Sequence, residues 1–139
     1  MAFHPYLYFG GNCAEAFTRY KEIFGGELFI MKMSDAPAGE APPETDGDLV
    51  LHAALTVDGG LLMASDDPTG TVGKMDGISV NYGTADVAEV NRVFAALAEG
   101  GEVTQPLMET FFSPAFGMCV DRFGVPWMLS ADPANEQPG

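Results

Sequence analysis

The chain repeats itself, and this constrains its fold more than any other feature. Tyr8, Ala14-Glu15 and Gly25-Gly26-Glu27 in the first half return as Tyr82, Ala88-Glu89 and Gly100-Gly101-Glu102. The copies stand 74 residues apart at the tyrosines and 75 apart at the glycine pairs, so one residue is inserted between them. Later, Gly60-Leu61-Leu62-Met63-Ala64-Ser65 is echoed by Gly124-Val125-Pro126-Trp127-Met128-Leu129-Ser130. Self-similarity of this kind predicts two related supersecondary units. With 139 residues in all, each half is too short for a sizeable core of its own, and the two are expected to pack together.

The same elements are predicted twice. Phe3 to Phe9 is aromatic and apolar and reads as a strand. Asn12 with Glu15 reads as a capping box, and Cys13, Ala16, Phe17, Tyr20, Ile23 and Phe24 recur at helical spacing. Gly25-Gly26 ends that helix. Glu27 to Met33 is a strand, and Leu49 to Val57 and Leu61 to Ser65 form a hairpin across Asp58-Gly59, a dipeptide suited to a type I′ turn. In the second half Ile78 to Tyr82 is a strand, and Asp86 with Glu89 caps a helix striped by Val87, Val90, Phe94 and Leu97. Glu102 to Gln105 is a short strand closed by Pro106. Phe111 to Val120 and Val125 to Ala131 form a hairpin across 121–124, with Pro114 marking an edge or a bulge. The expectation is an α+β chain of two tandem βαβββ modules forming one domain over 1–139. Module 1 spans about 3–65, the linker 66–76, module 2 about 77–131, and a polar tail 132–139. The stretch Ser34 to Asp48, with three prolines and five acids, is a loop, either a lid or a solvated insertion.

Composition removes several functions. Twenty acidic residues against six Lys and Arg give a formal charge of −14, a field that repels phosphate backbones and disfavours nucleic acid. No apolar run approaches the roughly 20 residues of a membrane span. The N-terminus lacks a basic and then apolar leader pattern, and Cys13 and Cys119 make no disulfide framework. A cytoplasmic protein with reduced thiols is expected.

Three segments carry a resemblance: Pro5-Tyr6-Leu7-Tyr8-Phe9-Gly10-Gly11-Asn12-Cys13-Ala14-Glu15-Ala16, Tyr20-Lys21-Glu22-Ile23-Phe24-Gly25-Gly26 and Pro126-Trp127-Met128. Within two tandem βαβββ halves they resemble the PhnB-like branch of the vicinal-oxygen-chelate superfamily of glyoxalases, bleomycin-resistance proteins and extradiol dioxygenases. The resemblance covers about residues 3 to 131. It implies curved sheets around a cleft, a homodimer, and a divalent ion that chelates two neighbouring substrate oxygens, held by His, Gln or Glu on the first and last strands of each module. Here those positions fall on Pro5, Met63, Ser79 and Met128. Proline offers no side-chain donor, and methionine suits copper(I) rather than hard or borderline divalent ions. No metal and no other cofactor are therefore expected. Some relatives carry a demethylubiquinone methyltransferase label, yet no glycine-rich strand-to-helix turn with an acid on the next strand suits adenosylmethionine.

Across the Asp58-Gly59 turn, Val57 pairs with Gly60 and Ala54 with Met63. Opposed residues share a face, so His52, Ala54 and Thr56 lie with Leu61, Met63 and Ser65. Alternation is read as adding Pro5, Leu7 and Phe9 from the first strand, and Ser79 and Asn81 from the fifth. The expected ligand-binding set is Leu7, Phe9, Thr56, Met63, Ser65, Ser79, Asn81 and Met128, with His52 as the candidate acid, base or hydrogen-bond partner. An apolar surface with few polar points suits a small organic molecule. Cys13, just after a helix cap, is a weaker candidate for a reactive thiol, against packing under the helix. Trp127, Phe111, Phe112 and Phe116 line the cleft or pack in a core or interface. The expected function is metal-independent binding of a small organic molecule by a homodimer. The alternative is a lyase, isomerase or transferase of the glyoxalase type using His52.

Overall fold

A computed structural model describes residues 2–37 and 46–132. The chain divides into two compact units, Met1–Gly73 and Lys74–Gly139. In the first, β1 (Tyr6–Phe9), α1 (Cys13–Phe24), β2 (Glu27–Lys32), β3 (Val50–Val57) and β4 (Gly60–Asp66) follow the predicted order. In the second, β5 (Val80–Thr84), α2 (Val87–Ala98), β6 (Glu102–Met108), β7 (Ala115–Val120) and β8 (Pro126–Ala131) repeat it. The sheets are ordered β1-β4-β3-β2 and β5-β8-β7-β6, and in each the first strand runs parallel to the last. This α+β architecture is the glyoxalase/bleomycin-resistance fold. No described helix is long and apolar enough to cross a membrane. Part of the loop read over 34–48 (residues 38–45) and of the polar tail (133–139) lies outside the described residues.

Each helix covers one face of its sheet. Cys13, Ala16, Phe17, Tyr20 and Ile23 are buried against Leu7, Phe9, Ala53, Leu55, Leu62 and Ala64. In the second unit Val90, Val93, Phe94 and Leu97 are buried with Ala115, Cys119, Trp127, Leu129 and Ala131. Val87, read from the sequence as part of that stripe, is exposed, and Val93 takes its place.

The N-termini of the two helices are held differently. Asp86 caps α2 through its own side chain, which accepts from the Ala88 and Glu89 amides, while Glu89 turns to Arg92 instead of closing a box. Asn12 makes no such bond. The carboxylate of Asp66 does the work from the end of β4, accepting from the Gly11 amide at 2.9 Å and the Cys13 amide at 3.0 Å. Its other oxygen accepts from the Val50 amide at 2.9 Å, so one buried side chain ties α1, β3 and β4 together. Asp121 plays a comparable part in the second hairpin. It accepts from the Phe123 and Val125 amides and from the Trp127 indole, each at 2.9 Å, and so holds the turn and fixes the buried tryptophan.

The repeated glycines have a steric cause. A Cβ on Gly26 would stand 2.1 Å from the Thr56 carbonyl oxygen, and one on Gly101 would stand 2.2 Å from that of Val120. Each helix therefore returns to its sheet at a point where only glycine fits. The Asp58-Gly59 turn has φ of 45° and 84°, as a type I′ hairpin requires. At Pro106 the sequence expectation is corrected. The edge strand β6 continues past it to Met108, with the register shifting between Gln105 and Met108, because an edge strand tolerates a missing donor at an irregularity. Pro114 lies just outside β7.

Candidate functional site

The helix covers one side of the first sheet and leaves the other open. Register decides which residues lie there. Tyr6 pairs with Met63 and Tyr8 with Ser65 across β1 and β4, while Ala54 pairs with Met63 and Thr56 with Leu61 across β3 and β4. Met31 opposes His52, and Phe29 opposes Ala54, across β2 and β3. The face turned away from α1 thus gathers His52, Thr56, Met63 and Ser65, whose shared face is the one expected from the hairpin register, with Tyr6, Tyr8, Phe29 and Met31, which the sequence reading missed; Ser65 itself is buried.

Leu7 and Phe9 are corrected. They are buried beneath α1, and the Phe9 ring meets Phe17 edge-on at 6.2 Å. The cause is a single residue. Through their partners Met63 and Met128, Tyr6 is the counterpart of Asn81, an offset of 75, whereas the helices align at 74. The insertion lies in the connection Gly10-Gly11-Asn12, one residue longer than Ala85-Asp86, and Gly11 sits at a φ of 124°. Matching Tyr8 to Tyr82 shifts the strand by one position, and a one-residue slip turns every side chain to the other face. The chemistry of the strand held the missing signal. Leu7 and Phe9 are wholly apolar and suit a core, while Tyr6 and Tyr8 carry hydroxyls and suit a wet face.

On this face the hydroxyl of Tyr6 lies 3.1 Å from Nδ1 of His52. The two rings stack, with centroids 5.7 Å apart and planes 28° from parallel. Tyr8 is 5.2 Å from Tyr6, and Phe29 approaches the imidazole at 6.4 Å. Tyr8 and Phe29 remain more than half exposed. Two aromatic rings, Tyr6 and Phe29, thus flank one imidazole, with Tyr8 beside Tyr6, on a face that also carries Ala54, Met31, Met63 and Thr56. A phenol against Nδ1 orients the imidazole and leaves Nε2 for another partner.

In the second sheet Asn81 opposes Met128, and Met128 opposes Met118, on the side away from α2. Asn81 is exposed, Met128 is half-buried, and Ser79 stands just before β5. Phe116 lies on the same side, followed by Phe112 and the exposed Phe111 in a run of edge-on contacts at 5.1 Å. Trp127 faces α2 and belongs to the core.

Neither cysteine is a reactive thiol. Burial, and then the charge of Asp66, push Cys13 up to about 12, against the lowering expected from the helix terminus. Burial and Asp121 push Cys119 up to about 11. Both thiols stay protonated at neutral pH and pack in the core.

The donors present do not suit the divalent ion that the family resemblance implies. Register pairs Tyr6 with Met63 and Asn81 with Met128, so the first-strand positions move from Pro5 to Tyr6 and from Ser79 to Asn81, and the four places hold Tyr6, Met63, Asn81 and Met128. Among the described residues no three His, Cys, Asp or Glu side chains are placed to hold a metal ion. A catalytic zinc keeps about three nitrogen, oxygen or thiolate ligands from the protein, and this set does not fit one.

Comparisons with known proteins agree with the fold and the motifs. The profile of the family described as 3-demethylubiquinone-9 3-methyltransferase matches residues 1–130. Protein YjdN of Escherichia coli is 31% identical, over 99% of each chain. The crystal structure of PA1353 from Pseudomonas aeruginosa is 42% identical, covering 95% of this chain and 98% of that one, with a TM-score of 0.83. A PhnB protein from Bacillus cereus is 26% identical, covering 94% and 98%, with a TM-score of 0.72.

Proposed function

The chain belongs to the PhnB-like family, and on that premise we propose that it binds a small planar organic molecule on the open face of its first sheet, without a divalent metal. The observation that carries this reading is the pair of exposed rings, Tyr6 and Phe29, against an imidazole oriented by the Tyr6 hydroxyl, with the exposed Tyr8 beside Tyr6. Exposed aromatic rings on a sheet supply stacking area at little entropic cost, and one oriented polar group supplies direction. If Tyr6 donates to Nδ1, the proton of neutral His52 sits on Nε2, and the ligand presents an acceptor such as a carbonyl. The methyltransferase description of the family is not carried over, because among the described residues no glycine-rich strand-to-helix turn with an acid on the next strand suits adenosylmethionine.

A second reading is favoured by the same hydrogen bond. An imidazole held by a hydroxyl at one nitrogen is placed to move a proton at the other, as a glyoxalase-type lyase, isomerase or transferase needs. The homodimer remains part of the proposal. Phe111 and Phe112 are exposed side by side, a patch that association would cover.

The experiment is a screen of planar aromatic phenols, acids and quinones by NMR of the full chain, followed by His52→Gln. Binding read at the Tyr6, Tyr8 and Phe29 rings supports the first reading. Turnover of a bound compound that disappears in His52→Gln promotes the second. Binders that shift only residues elsewhere contradict both.

A further inference from the structure

We propose that Met31, His52 and Met63 form a site for a soft monovalent cation, copper(I) or silver(I), on the open face of the first sheet. The register sets one methionine on each side of the histidine, Met31 on β2 and Met63 on β4, with β3 between them. Met31 and His52 are directly opposed across β2 and β3, where Cβ atoms stand about 5 Å apart. Met63 opposes Ala54, two residues along β3 from His52, a diagonal separation of about 7–8 Å that long side chains span. Each methionine is unbranched, with three rotatable bonds to bring its sulfur toward a shared point. All three residues are half-buried.

The donor chemistry selects the ion. Two thioethers and a neutral imidazole are soft or borderline donors, which favour copper(I) over magnesium, manganese or calcium. With the ion on Nε2, the ring proton sits on Nδ1 and donates to the Tyr6 hydroxyl oxygen, the outer-shell contact that metal-bound imidazoles characteristically make. The rings of Tyr6 and Phe29 flank the imidazole at 5.7 and 6.4 Å. A net charge of −14 attracts any cation to the chain. The two thiols that would otherwise compete for a soft ion are buried in the core and protonated. Met118 and Met128 on the second sheet are likewise opposed across two strands, and no histidine lies beside them in either sheet register. They serve as the control pair.

The test is an anaerobic competition between the full chain and bicinchoninate for copper(I), repeated with silver(I) nitrate and followed by the methionine methyl and histidine ring resonances. The expected result is one equivalent bound, with the methyls of Met31 and Met63 and the ring of His52 shifting together. Met63→Leu and Met31→Leu, which nearly conserve volume, abolish this binding, while Met128→Leu leaves it intact. Tyr6→Phe weakens it about tenfold and alters the nitrogen-15 shift of Nδ1, as loss of an outer-shell partner does. Failure to take copper from the competitor overturns the proposal, as do shifts confined to Met118 and Met128 or to the cysteines. The resonances of the unmodified chain decide this even where a variant folds poorly. The leucine variants keep all three aromatic rings, so organic-ligand binding, measured on the same samples, stands or fails separately.

Discussion

Tyr6 and His52 lie 46 positions apart in the chain, and the phenol reaches across β4 to place its oxygen 3.1 Å from Nδ1. One position further along β1, Leu7 is buried under the helix. Adjacent residues of one short strand therefore serve the site and the core.

His52→Gln is expected to leave the fold intact, because the side chain is half-exposed and its main partner is an exposed tyrosine. Its effect on the denaturation midpoint corresponds to about 0.5 kcal/mol or less. Circular dichroism in urea checks this. Loss of well over 2 kcal/mol would show that the imidazole is a structural support and would weaken its assignment to a site.

Asp66→Ala is expected to cost far more. It removes the acceptor from three backbone amides in or near the core, and leaving buried donors unmade costs about 1–3 kcal/mol each. Asp66→Asn keeps the shape and one acceptor oxygen, so it falls between Asp66→Ala and the unchanged chain. Equal effects of the two substitutions in a urea titration would refute this role.

Gly26→Ala and Gly101→Ala are expected to be among the most damaging single substitutions, since each drives a Cβ to within 2.2 Å of a carbonyl oxygen. Gly25→Ala, at a φ of 74° with nothing within 4 Å, meets only backbone strain of about 1–2 kcal/mol. The ordering Gly26 over Gly25, read from thermal midpoints, checks the packing account of the repeated glycine pair.

The thiols give a pH dependence of known sign. Cys13 and Cys119 have folded values of about 12 and about 11 against an ordinary 9.0. Between those limits the unfolded chain loses thiol protons that the folded chain keeps, so stability is complete below pH 9 and falls as pH rises toward 11 and 12. Alanine at either cysteine flattens that alkaline decline. In the folded chain neither thiol reacts quickly with iodoacetamide at pH 8, and rapid alkylation of Cys13 would contradict its burial.

Much of this fold is written in local patterns, and its limits are equally physical. The helix stripe at Cys13, Ala16, Phe17, Tyr20 and Ile23, the Asp58-Gly59 turn and the Ala54–Met63 pairing depend on neighbours in the chain, and the structure reproduces them. The cap of α1 was not legible, because its acceptor comes from Asp66, more than 50 residues away. The face of β1 was misread because a one-residue difference between the two strand-to-helix connections reverses the alternation, and a strand of four residues is too short to correct it. Half of the candidate site followed from hairpin register. The aromatic half depended on β1 and β2, whose pairing partners are distant in sequence.

The most direct test of the account is an NMR titration of the full chain with planar aromatic compounds, run with and without excess EDTA. The account predicts saturable shifts of the Tyr6, Tyr8, Phe29 and His52 ring resonances that are identical in the two conditions. Shifts that vanish with EDTA, or compounds that bind without disturbing any of those four rings, would contradict it.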